Sequence, residues 1–231
     1  MMGQPLSSLT LRLISSAILI PVVMSLVAVG EWFFIGLVAV CIVIAFVEWT
    51  NISRHMPIRP LFKYALVAIG FFYLGFSFLE MAYLREQSGG LFWTIMFMMC
   101  IWASDSVAYI FGKTMGGPKM SPTISPNKTW SGYAGALIGP ALILGLEQSL
   151  LPMANFGGPI TTVTLPHAIL AGVAIGITGQ SGDLMISAMK RKAGLKDTGA
   201  IIPGHGGILD RIDALLLALP VFLAYVTFVT E

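Results

Sequence analysis

The sequence predicts an all-α fold, a polytopic integral membrane helical bundle of about seven transmembrane helices forming a single domain over residues 1–231. Three observations predict it. Of the residues, 56% are hydrophobic and 10% charged, against roughly 25% charged in an ordinary soluble domain. Apolar runs of about 20 residues, the length that crosses a hydrocarbon core of about 30 Å, recur along almost the whole chain. Short alternating segments of the kind found in outer-membrane barrels are missing, so backbone groups in lipid must be satisfied within helices.

The first apolar run, 12–29, follows the stretch Met1 to Thr10, which has no positively charged side chain. With no small-residue cleavage site after it, it reads as a retained helix rather than a signal peptide. The second run, 32–49, ends in Glu48 and Trp49, where Glu48 is a candidate site residue, with solvation at the membrane interface the preferred reading. The third spans 62–79, and the fourth, 91–111, holds Met96, Met98 and Met99 as core filling. The fifth and sixth, 132–151 and 166–188, carry Gly135 with Gly139 and Gly172 with Gly176, a spacing that lets helix backbones approach closely in lipid. The seventh runs from 213 to 230. Cys41 and Cys100 fall inside apolar runs and read as buried thiols rather than a disulfide or metal ligands.

These spans sort the charges. Arg12, Arg54, Arg59, Lys63, Lys113, Lys119, Lys128, Lys190, Arg191, Lys192, Lys196 and Arg211 fall on one side, and only Arg85 of the 13 Lys and Arg falls on the other. The loop from about Pro152 to Leu165 has neither. Because cytoplasmic loops are enriched in Lys and Arg, the N-terminus and the polar segments at about 105–131 and 182–213 are expected in the cytosol. A net charge of +2 gives no indication of nucleic acid as a partner.

Acidic residues in or beside membrane spans are costly and mark candidate sites. Asp183 lies near the cytoplasmic end of the sixth span, Asp210 and Asp213 at the entry to the seventh, and Asp105 about two turns inside the fourth. Asp210 and Asp213 are three apart and share a helix face. Asp183 can approach them if the flanking helices are neighbours. Three converging carboxylates would suit a divalent cation such as Mg²⁺; the alternative is an ion network in which Lys190, Arg191 and Arg211 neutralise them. The basic residues following Asp183 also suit a phosphorylated ligand, because Mg²⁺ commonly bridges protein carboxylates to phosphates.

Two loops complete the polar set. In KDTGAIIPGHGGILDRID, residues 196–213, the glycines permit a tight turn or a close approach of amide N–H groups to an anion, and His205 can donate to a phosphate or cap a turn. In SPTISPNKTWSG, residues 121–132, Ser125, Lys128 and Thr129 offer two hydroxyls and a cation to phosphates, in a proline-punctuated connector with a helix-start signal.

The run SAMKRKAGLKDTGAIIPGHGGILDRID, Ser187 to Asp213, resembles the signature of CDP-diacylglycerol synthases, the phosphatidate cytidylyltransferases. GDL at Gly182 to Leu184, DSVAYIFGKTMG from Asp105 and SPNKTWSG from Ser125 resemble the family's other polar segments in the same order. Asn127 and Ser131 depart from it, standing where Lys and Glu are common. The resemblance covers roughly residues 100–213.

It implies transfer of CMP from CTP to phosphatidate, giving CDP-diacylglycerol and pyrophosphate, by a membrane enzyme of phospholipid biosynthesis. It also implies Asp183, Asp210 and Asp213 as metal ligands for Mg²⁺ with a companion monovalent cation such as K⁺. Lys196 and Arg211 would join these three as catalytic groups facing phosphates. Asp105, Ser125, Lys128, Thr129, Ser187, Lys190, Arg191, Asp197, His205, Gly206 and Gly207 are the expected substrate-binding set. The expected location is a bacterial inner (cytoplasmic) membrane, with CTP entering from the cytosol and the lipid tails remaining in the bilayer. Transfer to another lipid phosphate, or ion or phosphate transport, are the competing functions, and monomer and homodimer both stay open. Transport is disfavoured because the charged groups gather at one membrane face rather than at the midplane.

Overall fold

In the computed structural model, residues 8–154 and 164–230 are described. The N-terminal stretch 1–7 and most of the loop read as lacking basic residues, 155–163, lie outside them. Seven helices occur among the described residues: α1 (Ser8–Val29), α2 (Glu31–His55), α3 (Pro60–Glu86), α4 (Gly90–Thr114), α5 (Trp130–Ala154), α6 (Leu165–Lys192) and α7 (Leu209–Thr230). Every expected span falls inside one of them. α2, α3, α4, α6 and α7 are each long and apolar enough to cross a membrane, and α1 contributes a shorter apolar run, Leu13–Val29.

The helices outrun the apolar windows because helical geometry continues into polar turns that hydropathy does not register. α6 carries Lys190, Arg191 and Lys192 in its last turn, where cations oppose the negative end of the helix dipole. It stops at Gly194, whose φ of 73° is a left-handed conformation that glycine adopts without steric cost. There the Leu195 N–H donates to the Lys190 carbonyl at 2.8 Å, closing the α6 C-terminus. α7 begins at Leu209, so Asp210 and Asp213 are both helical.

The connector at 121–132 is more ordered than its composition implies. β1 (Lys119–Ser121) and β2 (Ser125–Thr129) form an antiparallel hairpin. Pro122 sits at the second position of the turn, where its fixed φ is suited, and the Ile124 N–H donates to the Ser121 carbonyl at 3.3 Å. Thr129 then caps α5, its Oγ1 accepting the Gly132 N–H at 3.1 Å. The helix-start signal is therefore realised.

The described chain gathers into two compact units. The first holds α1, α2, α3 up to Phe78 and the segment Met189–Ile212; the second holds Leu79–Ala188 and the chain from Asp213 onward. In the first unit, Ala45, Trp49 and Ile52 of α2 are buried, and the Trp49 Nε1–H donates to the Leu66 carbonyl of α3 at 2.8 Å. Gly70 leaves room for that indole ring.

The second unit packs around Trp93, Phe97, Phe222 and Tyr225, joined by Cys100, Leu144, Ile175 and Leu219. Trp93 meets Phe222 and Tyr225 edge to face, each at 6.4 Å between centroids, the geometry aromatic quadrupoles prefer. The glycine pairs act as their spacing predicts. A Cβ at Gly135 would lie 2.7 Å from the Val107 carbonyl oxygen and one at Gly139 2.5 Å from that of Ala103, so α5 rests directly on α4. On α6, Gly172 lies against Ala141, and a Cβ at Gly176 would come 2.6 Å from the Ala136 oxygen. We expect Gly139→Val to force α4 and α5 apart and to cost about 1–3 kcal/mol, measured as a lowered midpoint of thermal unfolding in detergent.

Candidate active site

The polar loop between α6 and α7 is built in the first unit around two carboxylates. Asp210 Oδ2 accepts the N–H groups of Thr198 and Gly207 at 2.8 and 3.1 Å and lies 3.0 Å from the Thr198 hydroxyl. Asp210 Oδ1 takes the Lys190 ammonium at 2.5 Å, in an ion pair whose side chains are only 11% and 4% exposed. Asp210 thereby ties Thr198 and Gly207 of the loop to the first turn of α7. The Lys190–Asp210 pair is a contact of the kind the ion-network alternative anticipates.

The second carboxylate is Glu48. The expectation of a solvated interfacial group is corrected here: Glu48 is buried, because the loop folds over it. It accepts the Thr198 hydroxyl at 2.7 Å, the Ile208 N–H at 3.1 Å and the Leu209 N–H at 2.8 Å. An anion at the first amides of α7 is favoured by both hydrogen bonding and the helix dipole.

The PGHGG turn closes on itself. The His205 and Gly206 N–H groups both donate to the Ile202 carbonyl, at 3.0 and 3.2 Å, and the Gly207 N–H goes to Asp210. These three amides are engaged within the fold, in the tight turn that the glycines permit. Gly204 and Gly206 have φ of 77° and 88°, values that side-chain-bearing residues rarely adopt. A Cβ at Gly207 would overlap the Thr198 hydroxyl and the Glu48 carboxylate. Gly207→Ala is expected to lower stability by about 1–3 kcal/mol, a loss that thermal unfolding would register.

This loop lines a cavity of about 580 Å³ whose walls include Lys196, Asp197, Gly206, His205 and Arg211. Two cationic side chains and an imidazole therefore face one space. His205 is held by α1: the Ser15 hydroxyl lies 2.8 Å from Nδ1 and that of Ser16 3.3 Å from Nε2. Arg191 is exposed on the last turn of α6.

The second unit has its own cavity, about 430 Å³, lined among others by Asp105, Lys113, Asn127, Lys128, Thr129, Gln180 and Asp183. Lys128 on β2 reaches Asp183 Oδ2 at 2.6 Å and Gln180 Oε1 at 2.7 Å. The Ser187 hydroxyl, one turn along α6, donates to Asp183 Oδ1 at 3.1 Å. Ser125 lies on β2 opposite Ser121 and is not part of the cavity wall. The Thr129 hydroxyl is engaged in the α5 cap.

Asp213 is buried, with Oδ1 accepting the Ala214 N–H at 2.8 Å. α6 and α7 touch here, because Gly182 lies against the Asp213 backbone, which places the Asp183 segment beside Asp213 within this unit. Among the described residues, no group of three or more His, Cys, Asp or Glu stands close enough to hold a metal ion by itself.

Sequence reasoning passed over Thr198, Gln180, Ser15 and Ser16, and preferred interfacial solvation over a site role for Glu48. Glu48 carried a usable signal, an acidic residue in an apolar run, and Gln180 lies three residues before Asp183 on the same helix face. The serines of α1 carried none.

Helices long enough to cross a membrane, with lysine-paired carboxylates in the polar segments that adjoin them, define a helical membrane protein. Residues 59–229 match the cytidylyltransferase family. The chain belongs to that family. It is similar to a phosphatidate cytidylyltransferase of Brucella abortus biovar 1, 38% identical over 183 residues that make up 79% of this chain and 60% of the relative. It is also similar to proteins of the same name from Staphylococcus epidermidis and Staphylococcus saprophyticus. The first is 31% identical over 209 residues, covering 89% of this chain and 75% of the relative. The second is 38% identical over 157 residues, covering 68% and 56%. The chain thus spans about 60% of the length of the Brucella relative.

Proposed function

We propose that the chain is a phosphatidate cytidylyltransferase, moving CMP from CTP to phosphatidate to give CDP-diacylglycerol and pyrophosphate. The observation that carries the reading is the cavity shared by Lys196, His205 and Arg211 on the signature loop of a chain of this family. Relatives of that name support the choice of substrates.

In this mechanism a phosphate oxygen of phosphatidate attacks the α-phosphorus of CTP in line. The new P–O bond forms as the bond to the β-phosphate bridging oxygen breaks, and pyrophosphate leaves with the electron pair. A phosphate monoester has a second pKa of about 6 and is already largely dianionic near neutrality, so neither a protein nucleophile nor a strong base is required. The difficulty is to bring two anions together. Lys196 and Arg211 contribute by charge and position, as do Lys128 and Lys190 beside their carboxylates.

Asp183, Asp210 and Asp213 are the residues that would hold Mg²⁺, with a monovalent cation such as K⁺ as companion. The donor chemistry fits: these are hard oxygens, and Asp183 and Asp210 each accept a compact ammonium cation at 2.6 or 2.5 Å. Magnesium usually takes one or two carboxylates and completes its shell with substrate phosphates and water, so a self-sufficient protein cage is not required. When bound, it supplies charge neutralisation for the triphosphate.

The charge distribution supports a site on the cytosolic face, and the bacterial relatives support a bacterial cytoplasmic membrane. Purified chain in phosphatidate-containing nanodiscs should consume CTP and release pyrophosphate only when phosphatidate and Mg²⁺ are both present. Equal pyrophosphate release without phosphatidate would overturn the assignment. An ether-lipid phosphate offered in its place measures acceptor choice.

A further inference from the structure

We propose that Glu48 is a positioning residue for the loop between α6 and α7, an inference that rests on the cytidylyltransferase reading of that loop. Its carboxylate ties together two points that flank the cavity-lining turn: the Thr198 hydroxyl before it, and the Ile208 and Leu209 amides after it. Lys196, His205 and Arg211 owe their common orientation to this clamp.

The energetics favour a specific rather than an incidental contact. A buried carboxylate is costly unless its oxygens are hydrogen-bonded, and Glu48 finds three donors, two of them unpaired by nature at the start of a helix. The loop backbone also lies directly on the carboxylate: a Cβ at Gly199 or Gly207 would overlap its atoms. The mount is firm. Trp49 is fixed to the Leu66 carbonyl, and Ile52, one turn further along α2, is fully buried. Asp210 completes the clamp from within the loop's own helix, because the Thr198 hydroxyl lies within hydrogen-bond distance of both carboxylates.

α2 precedes residue 59, where the family match begins. Glu48 therefore brings to the loop a part of the chain that the match does not include. It is not among the residues that line the cavity, so its effect on chemistry must pass through the loop.

The test uses the full chain in nanodiscs, comparing wild type with Glu48→Gln, which keeps shape but loses an acceptor oxygen, and with Thr198→Val, which removes the hydroxyl link and leaves Glu48 in place. Hydrogen exchange of the peptide covering residues 198–209 is read beside the kinetics. We expect both variants to speed exchange in that peptide at least tenfold while the rest of α2 and α3 exchanges as before. We also expect kcat/KM for CTP to fall about 100-fold, the scale of loss from an ångström of misplacement, with KM for phosphatidate changed less than threefold. Glu48→Asp, one methylene short, should recover part of kcat/KM. Unchanged exchange in 198–209 in both variants would overturn the proposal, as would faster exchange throughout the first unit with kcat/KM per folded molecule unaltered. If wild type transfers no CMP, the cytidylyltransferase reading fails, and the exchange measurement still decides whether Glu48 holds the loop.

Discussion

Asp210→Asn is expected to abolish most CMP transfer and to weaken the fold at the same time. The carboxylate serves two oxygens' worth of partners: Lys190 on one, and the Thr198 and Gly207 amides on the other. A carboxamide keeps the shape but presents an NH₂ to one of these donors and leaves the buried Lys190 without its counter-charge. Breaking a buried ion pair from one side typically costs about 3–5 kcal/mol. Loss of the loop's anchor and of a carboxylate assigned to Mg²⁺ should lower kcat by about 10²–10³-fold, the scale seen when a pre-organised electrostatic group is removed. Thermal unfolding and initial rates of CMP transfer on the same preparation check both parts. Near wild-type transfer by a folded variant would remove Asp210 from the catalytic set.

Asp183→Asn should separate these two effects. Its ion pair with Lys128 has side chains 21% and 32% exposed, and partly exposed pairs contribute only about 0–1 kcal/mol. The variant should therefore unfold within a few degrees of wild type, while kcat falls about 100-fold and the Mg²⁺ concentration needed for half-maximal rate rises. Mg²⁺ titrations of transfer rate, paired with unfolding curves, distinguish this from a folding defect. Wild-type Mg²⁺ dependence would contradict the metal-ligand assignment for Asp183.

The contrast between the two aspartates was not legible in the sequence. Hydropathy located all seven helices, and the four-residue glycine spacings correctly marked where α5 meets α4 and α6 meets α5. Both are local signals, carried by periodicity. The partner of each charge is not local: Lys190 reaches Asp210 and Lys128 reaches Asp183 across long stretches of chain, so only helix rotation and loop path decide which lysine serves which carboxylate.

Glu48 shows the same limit from the other side. Its place beside Trp49 at the end of an apolar window reads as interfacial, yet the turns of α2 that follow continue to His55 and bring the polar loop over the carboxylate. The hairpin of β1 and β2 was hidden for a different reason. Its strands are short and polar, without the alternation that exposes a half-buried strand, and their order comes from Pro122 in the turn and Thr129 at the α5 cap.

In the proposed function this chain forms a bond between a phosphatidate oxygen and the α-phosphorus of CTP. Following CTP labelled at the α-phosphorus, in parallel with CTP labelled at the γ-phosphorus, tests it most directly in phosphatidate nanodiscs containing the purified chain. The α-label is expected in the lipid fraction as CDP-diacylglycerol and the γ-label in soluble pyrophosphate, in equal molar amounts. Lipid that stays free of α-label while CTP is consumed, or lipid that acquires γ-label, would contradict it.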